Sequence, residues 1–198
     1  MKDELQEALT QCLASGDTAH IDTAERLLKK TEAQVDPTDT MTWGWFVVAV
    51  NNNRPDVAQL LIQKGLLVSA INNETEMKTP LHVAADAGDD KTVAYLVKNG
   101  ADVNAEAAKK KTALHFSANE GHLNVVQILA DLGATVEAKD SKGRTAADIA
   151  KHRGHLQITR LLNPSHDPEQ IPGGLFDAAP AADLSTTPPL TEEKKHRK

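Results

Sequence analysis

Aromatic residues make up only 3% of this 198-residue chain. Any core must therefore be built from Leu, Val, Ile and Ala, and a 40% hydrophobic content supplies enough of them. Leucine and alanine lose little side-chain freedom in a helix, so a helical protein is expected. Cys12 is the single cysteine, which excludes an internal disulfide and any CxxC redox or zinc motif and fits a reducing compartment. Long apolar runs are missing too. The nearest to one is "WFVVAV" at 45–50, far short of the roughly 18 residues of a membrane span, and the amino-terminal segment lacks the apolar centre of a signal peptide. There is no excess of positive charge, and a formal net charge of -6 gives no reason to expect nucleic acid. Nor does the chain contain GxSxG, GxGxxG, GKT, HExxH or an EF-hand loop, so no enzyme is expected.

What the chain does have is a period. "KTPLHVAADAGDD", beginning at Lys78, returns 33 residues later as "KTALHFSANEGHL" from Lys111. Thr79, Thr112 and Thr145 share that spacing, as do Gly88, Gly121 and Gly154, and Leu96, Leu129 and Leu162. A fixed period of this length indicates stacked supersecondary units. Within a unit the physics is readable: Thr79 is a good N-cap, Pro80 suits the first helical position, and Gly88 can take the positive φ that ends a short helix. Val93, Leu96 and Val97 then fall at helical spacing, and "ADVNAEAAKK" forms a polar extended stretch before the next threonine. Each unit is expected to be helix, turn, helix, extended loop.

The "TPLHVA" of residues 79–84, with its partial copies "TALHFS" and "TAADIA", resembles the ankyrin repeat. The expected fold is all-α, an ankyrin-repeat solenoid of four to five helix-turn-helix repeats over residues 1–163, with a disordered tail over 164–198. Residues 1–35 read as N-terminal capping helices, 42–75 as a degenerate repeat, 76–108 and 109–141 as full repeats, and 142–163 as a C-terminal cap. In the degenerate unit Gly44 and Trp45 stand where Thr and Pro belong, and Asn53 replaces the turn glycine, which Asn tolerates better than most residues. Capping units cover the apolar ends of a stack. Six of the nine prolines lie beyond residue 163, in a segment too poor in apolar residues to order itself.

His82 and His115 invite a sharper reading, since imidazole can ligate zinc and titrate near neutrality. Equivalent places in adjacent ankyrin units are about 10 Å apart, the width of a packed helix, which is too far for a shared ion. The resemblance instead implies a structural histidine bonding within and between the threonine turns. No metal and no cofactor is expected. The resemblance also implies that loops and first helices form a concave face that binds another protein. The position before each cap gives Trp43, Lys78, Lys111 and Arg144, with Lys109, Lys110, Lys139 and Lys142 in the same loops. The first-helix ends add Asp86, Asn119, Glu120, His152 and Arg153. An acidic or phosphorylated protein segment is the expected ligand, on a monomer without membrane attachment. Nucleic acid is disfavoured because the lysines lack interleaved aromatics. The expected role is a non-catalytic adaptor, scaffold or inhibitor in the cytoplasm; a bacterial effector or regulatory subunit is the alternative, and an enzyme with a histidine metal site is disfavoured. "EEKKHRK" leaves open a nuclear address or, for an intracellular bacterium, secretion into the host. "LVKNGADVN" is similar to sites of asparaginyl hydroxylation in eukaryotic ankyrin proteins, at Asn104, although a structural asparagine is the simpler reading.

Overall fold

Threonine and glycine punctuate the helices as their chemistry requires. In a computed structural model, which describes residues 18–30, 40–71 and 75–163, α1 spans Thr18–Lys30, α2 Thr40–Asn51, α3 Pro55–Gln63, α4 Pro80–Ala87 and α5 Asp90–Lys98. They are followed by α6 at Ala113–Glu120, α7 at Leu123–Asp131, α8 at Ala146–Arg153 and α9 at Leu156–Leu162. Thr79, Thr112 and Thr145 are extended N-caps of α4, α6 and α8, with ψ of 167°, 169° and 168°. Gly88, Gly121 and Gly154 end those helices in the left-handed region. No strand occurs among the described residues. The connecting loops are tight fingers, the second closed by a single antiparallel bridge between Ala107 and Lys111.

Helix faces decide the stacking. The first helices α2, α4, α6 and α8 pack one on the next, and α1, α3, α5, α7 and α9 form a second layer beside them. Between the layers lie Leu28, Leu61, Leu81, Leu96, Leu114 and Leu129, all fully buried; each such side chain contributes about 2 kcal/mol by leaving water. Alanine fills the tightest first-helix positions, at Ala49, Ala84, Ala118 and Ala150. Residues 1–17 and 31–35 of the expected N-terminal capping unit, and the tail over 164–198, lie outside the described residues.

The degenerate unit departs from expectation. Its first helix does not begin at Trp45, where alignment on the Thr-Pro cap would place it, but at Thr40, and it runs through Gly44. A mid-helix glycine costs about 1 kcal/mol, and burial outweighs that here: Thr42, Trp45, Phe46, Ala49 and Val50 are buried, with Trp43, Val47 and Val48 packed against the core. Asn53 does take the left-handed turn, with φ of 54°. Arg54, next to it, donates to Asp22 and Glu25 of α1 at 2.5 Å each, and to Asp56, tying the first described helix to the stack.

Candidate partner-binding face

The recurring histidines are committed to the fold. Nδ1 of His82 accepts the Thr79 backbone N–H at 3.0 Å and lies 2.8 Å from its hydroxyl, while Nε2 donates to the Ala105 carbonyl at 2.9 Å. His115 repeats the arrangement with Thr112 and the Arg144 carbonyl. A ring that donates from Nε2 and accepts at Nδ1 is the neutral imidazole in one tautomer. Burial pushes His82 down to about 4 against the pull of the Ala105 and Lys111 carbonyls, and lowers His115 in the same way. Both nitrogens of each ring are thus occupied by protein. In the last unit Asp148 takes the histidine's place and completes a capping box with Thr145, accepting its backbone N–H at 2.9 Å and its hydroxyl at 3.0 Å.

A second pair of histidines joins neighbouring units. His122 donates from Nε2 to the Asp86 carbonyl at 3.0 Å, and His155 to the Asn119 carbonyl at 3.2 Å. Each ring lies over the preceding turn glycine so closely that a Cβ on Gly88 or Gly121 would come within 2.6 Å of it. Where the turn residue is Asn53, which has a Cβ, the next unit places Asp89 in the position of His122. Asp89 turns instead onto its own helix, accepting Thr92 N–H at 3.0 Å and its hydroxyl at 2.6 Å.

The fingers stack through their backbones. Ala108 N–H donates to the Glu76 carbonyl and Ser141 N–H to the Lys109 carbonyl, both at 2.8 Å. Asn104 adds a bridge, accepting Thr135 N–H at 2.7 Å and donating to the Gly133 carbonyl at 3.3 Å. This is the loop-holding role its consensus place suggested.

The basic line read from the sequence is broken by internal partners. Lys78 pairs with Asp86 at 3.2 Å and lies 4.9 Å from the Phe116 ring centre; Lys111 lies 5.2 Å from the same ring. Arg144 donates from Nε and an Nη to Asp140 at 3.0 and 2.7 Å. Asp140 is nearly buried, which works to raise its carboxyl, but the Arg144 side chain and the amides of Arg144 and Lys142 hold it at about 2. Lys78 and Arg144 are therefore structural cations. Trp43 is not in a finger at all: it sits inside α2, half-buried, 6.1 Å from Phe46.

The exposed positive charge lies instead at the tips, on Lys109, Lys110 and Lys142, with Lys139 on the rise of the third finger. The first-helix ends stand alongside: Asp86 half-buried, Glu120, His152 and Arg153 exposed, and Asn119 accepting from Arg153 at 2.9 Å. Phe116 was not foreseen. It is half-buried between two ammonium groups and meets His82 edge-on at 5.5 Å. The signal was an aromatic where the preceding unit has Val83. Among the described residues no three His, Cys, Asp or Glu side chains converge as a metal site would need, and no helix is long and apolar enough to cross a membrane.

A family model described as ankyrin repeats (3 copies) matches residues 9–107 and 81–171. No curated protein matches the chain.

Proposed function

The chain belongs to the ankyrin-repeat family, and on that footing we propose that it is a non-catalytic adaptor, scaffold or inhibitor that holds one partner protein against its finger tips and first-helix ends. Ankyrin repeats are in general protein–protein interaction modules. The observation that carries the finer reading is the distribution of commitment. The buried histidines, Lys78 and Arg144 are engaged in holding turns and fingers, whereas Lys109, Lys110, Lys142, Glu120 and His152 stand exposed on one run of loops and helix ends. Exposed side chains on a rigid repeat scaffold that no turn or finger depends on are the ones a partner can read. The partner most compatible with the tips is an acidic segment, since like charge on a competitor would be repelled there.

The test follows from that division. Reversing Lys109, Lys110 and Lys142 to Glu should weaken retention of the partner recovered by crosslinking from the native cell, in a titration with the purified pair, and leave the thermal melt unchanged. Reversing Lys78 or Arg144 should lower the melt as well, because each leaves a carboxylate without its cation. Equal partner affinity in all of these variants would sink the assignment of the face.

A further inference from the structure

The fold needs a left-handed residue at the finger tips but does not need a long side chain there. Met77, Lys110 and Gly143 hold the same position in three successive fingers, 33 residues apart, and all have positive φ, at 51°, 55° and 75°. Glycine takes that conformation without steric penalty. The first two fingers place long side chains there instead, and Lys109 adds a second left-handed residue with φ of 63°. Non-glycine residues in this region are uncommon and are strained. The interior does not repay the strain: Met77 is 43% exposed, and Lys109 and Lys110 are exposed and have no ion-pair partner among the described residues.

The tips also differ in kind along the stack. The first finger exposes apolar Leu67 and Ile71, at 54% and 56%, where the next finger has Asp102 and Glu106, and it carries Glu76 exposed beside Met77. The second presents Lys109 and Lys110 and the third Lys142. The two backbone bonds between fingers, Ala108 to Glu76 and Ser141 to Lys109, fix that order.

We propose that the strained tips are retained for recognition, and that they take an extended acidic segment of a partner protein with an apolar side chain at one end. The apolar side chain lies on Met77 and the carboxylates run along Lys109, Lys110 and Lys142. The proposal rests on the protein-binding reading above and specifies its ligand. Ammonium groups attract without direction and suit a run of carboxylates. Of the arginines at this face, Arg144 spends its fork on Asp140 and Arg153 lies at the end of α8 with its Nε on Asn119, so the tips themselves carry ammonium groups and no guanidinium fork to favour a phosphate. Among the described residues the lysines that lie over an aromatic ring are Lys78 and Lys111, both on Phe116, and not the tip lysines, which leaves the tips without a stacking platform for a base.

The probe is a labelled peptide of one leucine followed by a run of glutamates, titrated by fluorescence anisotropy against the full chain at about 0.15 M salt. Lys110→Gln should weaken binding about fivefold and leave the melt in place, because it removes charge and keeps the strain. Lys110→Gly should weaken it as much and raise Tm by about 2 °C. Met77→Gly should also raise Tm, and should weaken the leucine-bearing peptide but not a glutamate-only one. The proposal is overturned if Lys110→Gly raises Tm without loss of affinity, if the peptide does not bind, or if a short RNA or a neutral phosphopeptide binds as tightly. A native partner lost on substituting Glu120 or His152 but indifferent to the tips would likewise overturn it, while leaving the protein-binding role in place.

Discussion

Replacing a turn glycine by alanine should cost very different amounts at two positions that look alike in sequence. Gly88 and Gly154 both end a first helix in the left-handed region, with φ of 79° and 85°. Alanine pays the same backbone penalty at either site, about 1 to 2 kcal/mol. At Gly154 nothing lies within 4 Å of the added methyl, so the penalty ends there. At Gly88 the methyl would meet His122 Nδ1 at 2.6 Å, Cε1 at 2.7 Å and Cγ at 2.9 Å. These atoms belong to a ring held by its bond to the Asp86 carbonyl. Displacing the ring loses that bond, about 1 kcal/mol, and overpacks the junction by about 1 to 3 kcal/mol. Gly88→Ala should therefore destabilise by about 3 to 6 kcal/mol and Gly154→Ala by about 1 to 2 kcal/mol. Urea denaturation at pH 7.5 reads the difference, and Gly121→Ala, beneath His155, should follow Gly88. Adding His122→Ala to Gly88→Ala should show a coupling of at least about 1 kcal/mol. Equal costs at Gly88 and Gly154, or additive behaviour of the pair, would refute the claim that histidine stacking and turn glycine are one device.

Acid should loosen the stack before the carboxylates titrate. His82 is held near 4 when folded and titrates near 6.5 unfolded, so its contribution is intact above pH 6.5 and shrinks as pH falls toward 4. The loss is about 2 kcal/mol by pH 5, measurable as a drop in urea midpoint that His82→Asn should flatten. Removing Arg54 should free the first described helix: Arg54→Met leaves Asp22, Glu25 and Asp56 without their shared cation, and amide hydrogen exchange should rise in residues 18–30 before it rises in 80–162. Asn104→Ala should cost about 1 to 2 kcal/mol in a thermal melt, because it leaves the Thr135 amide without its acceptor; no change would mean that solvent replaces the bridge.

Much of this molecule was legible from its period. Threonine, proline and glycine act through local backbone chemistry, so α4, α6 and α8 could be placed to the residue, while the reach of His82 and His115 between turns was implied by the resemblance to the ankyrin repeat. The degenerate unit was harder, because the start of α2 is set by tertiary burial of Trp45 and Phe46 and no cap residue announces it. Charge was the least legible quantity. Lys78 and Asp86 are eight apart in sequence, and only the closing of the first helix over its own cap brings them to 3.2 Å. Asp140 and Arg144 were visible as neighbours, but that Asp140 is buried and holds the third finger together depends on how the loop folds over it. The left-handed tips at Met77, Lys109 and Lys110 were hidden for the opposite reason, since nothing in those residue types predicts positive φ.

The central claim, a partner protein held on the fingers and first-helix ends, is tested most directly by site-specific photocrosslinking in the native cell. A benzophenone side chain placed at Glu120, exposed at the end of α6, is compared with one at Lys91, exposed on α5 in the other layer. The account predicts one discrete adduct from Glu120 and none from Lys91. An adduct from Lys91 with none from Glu120 would contradict it.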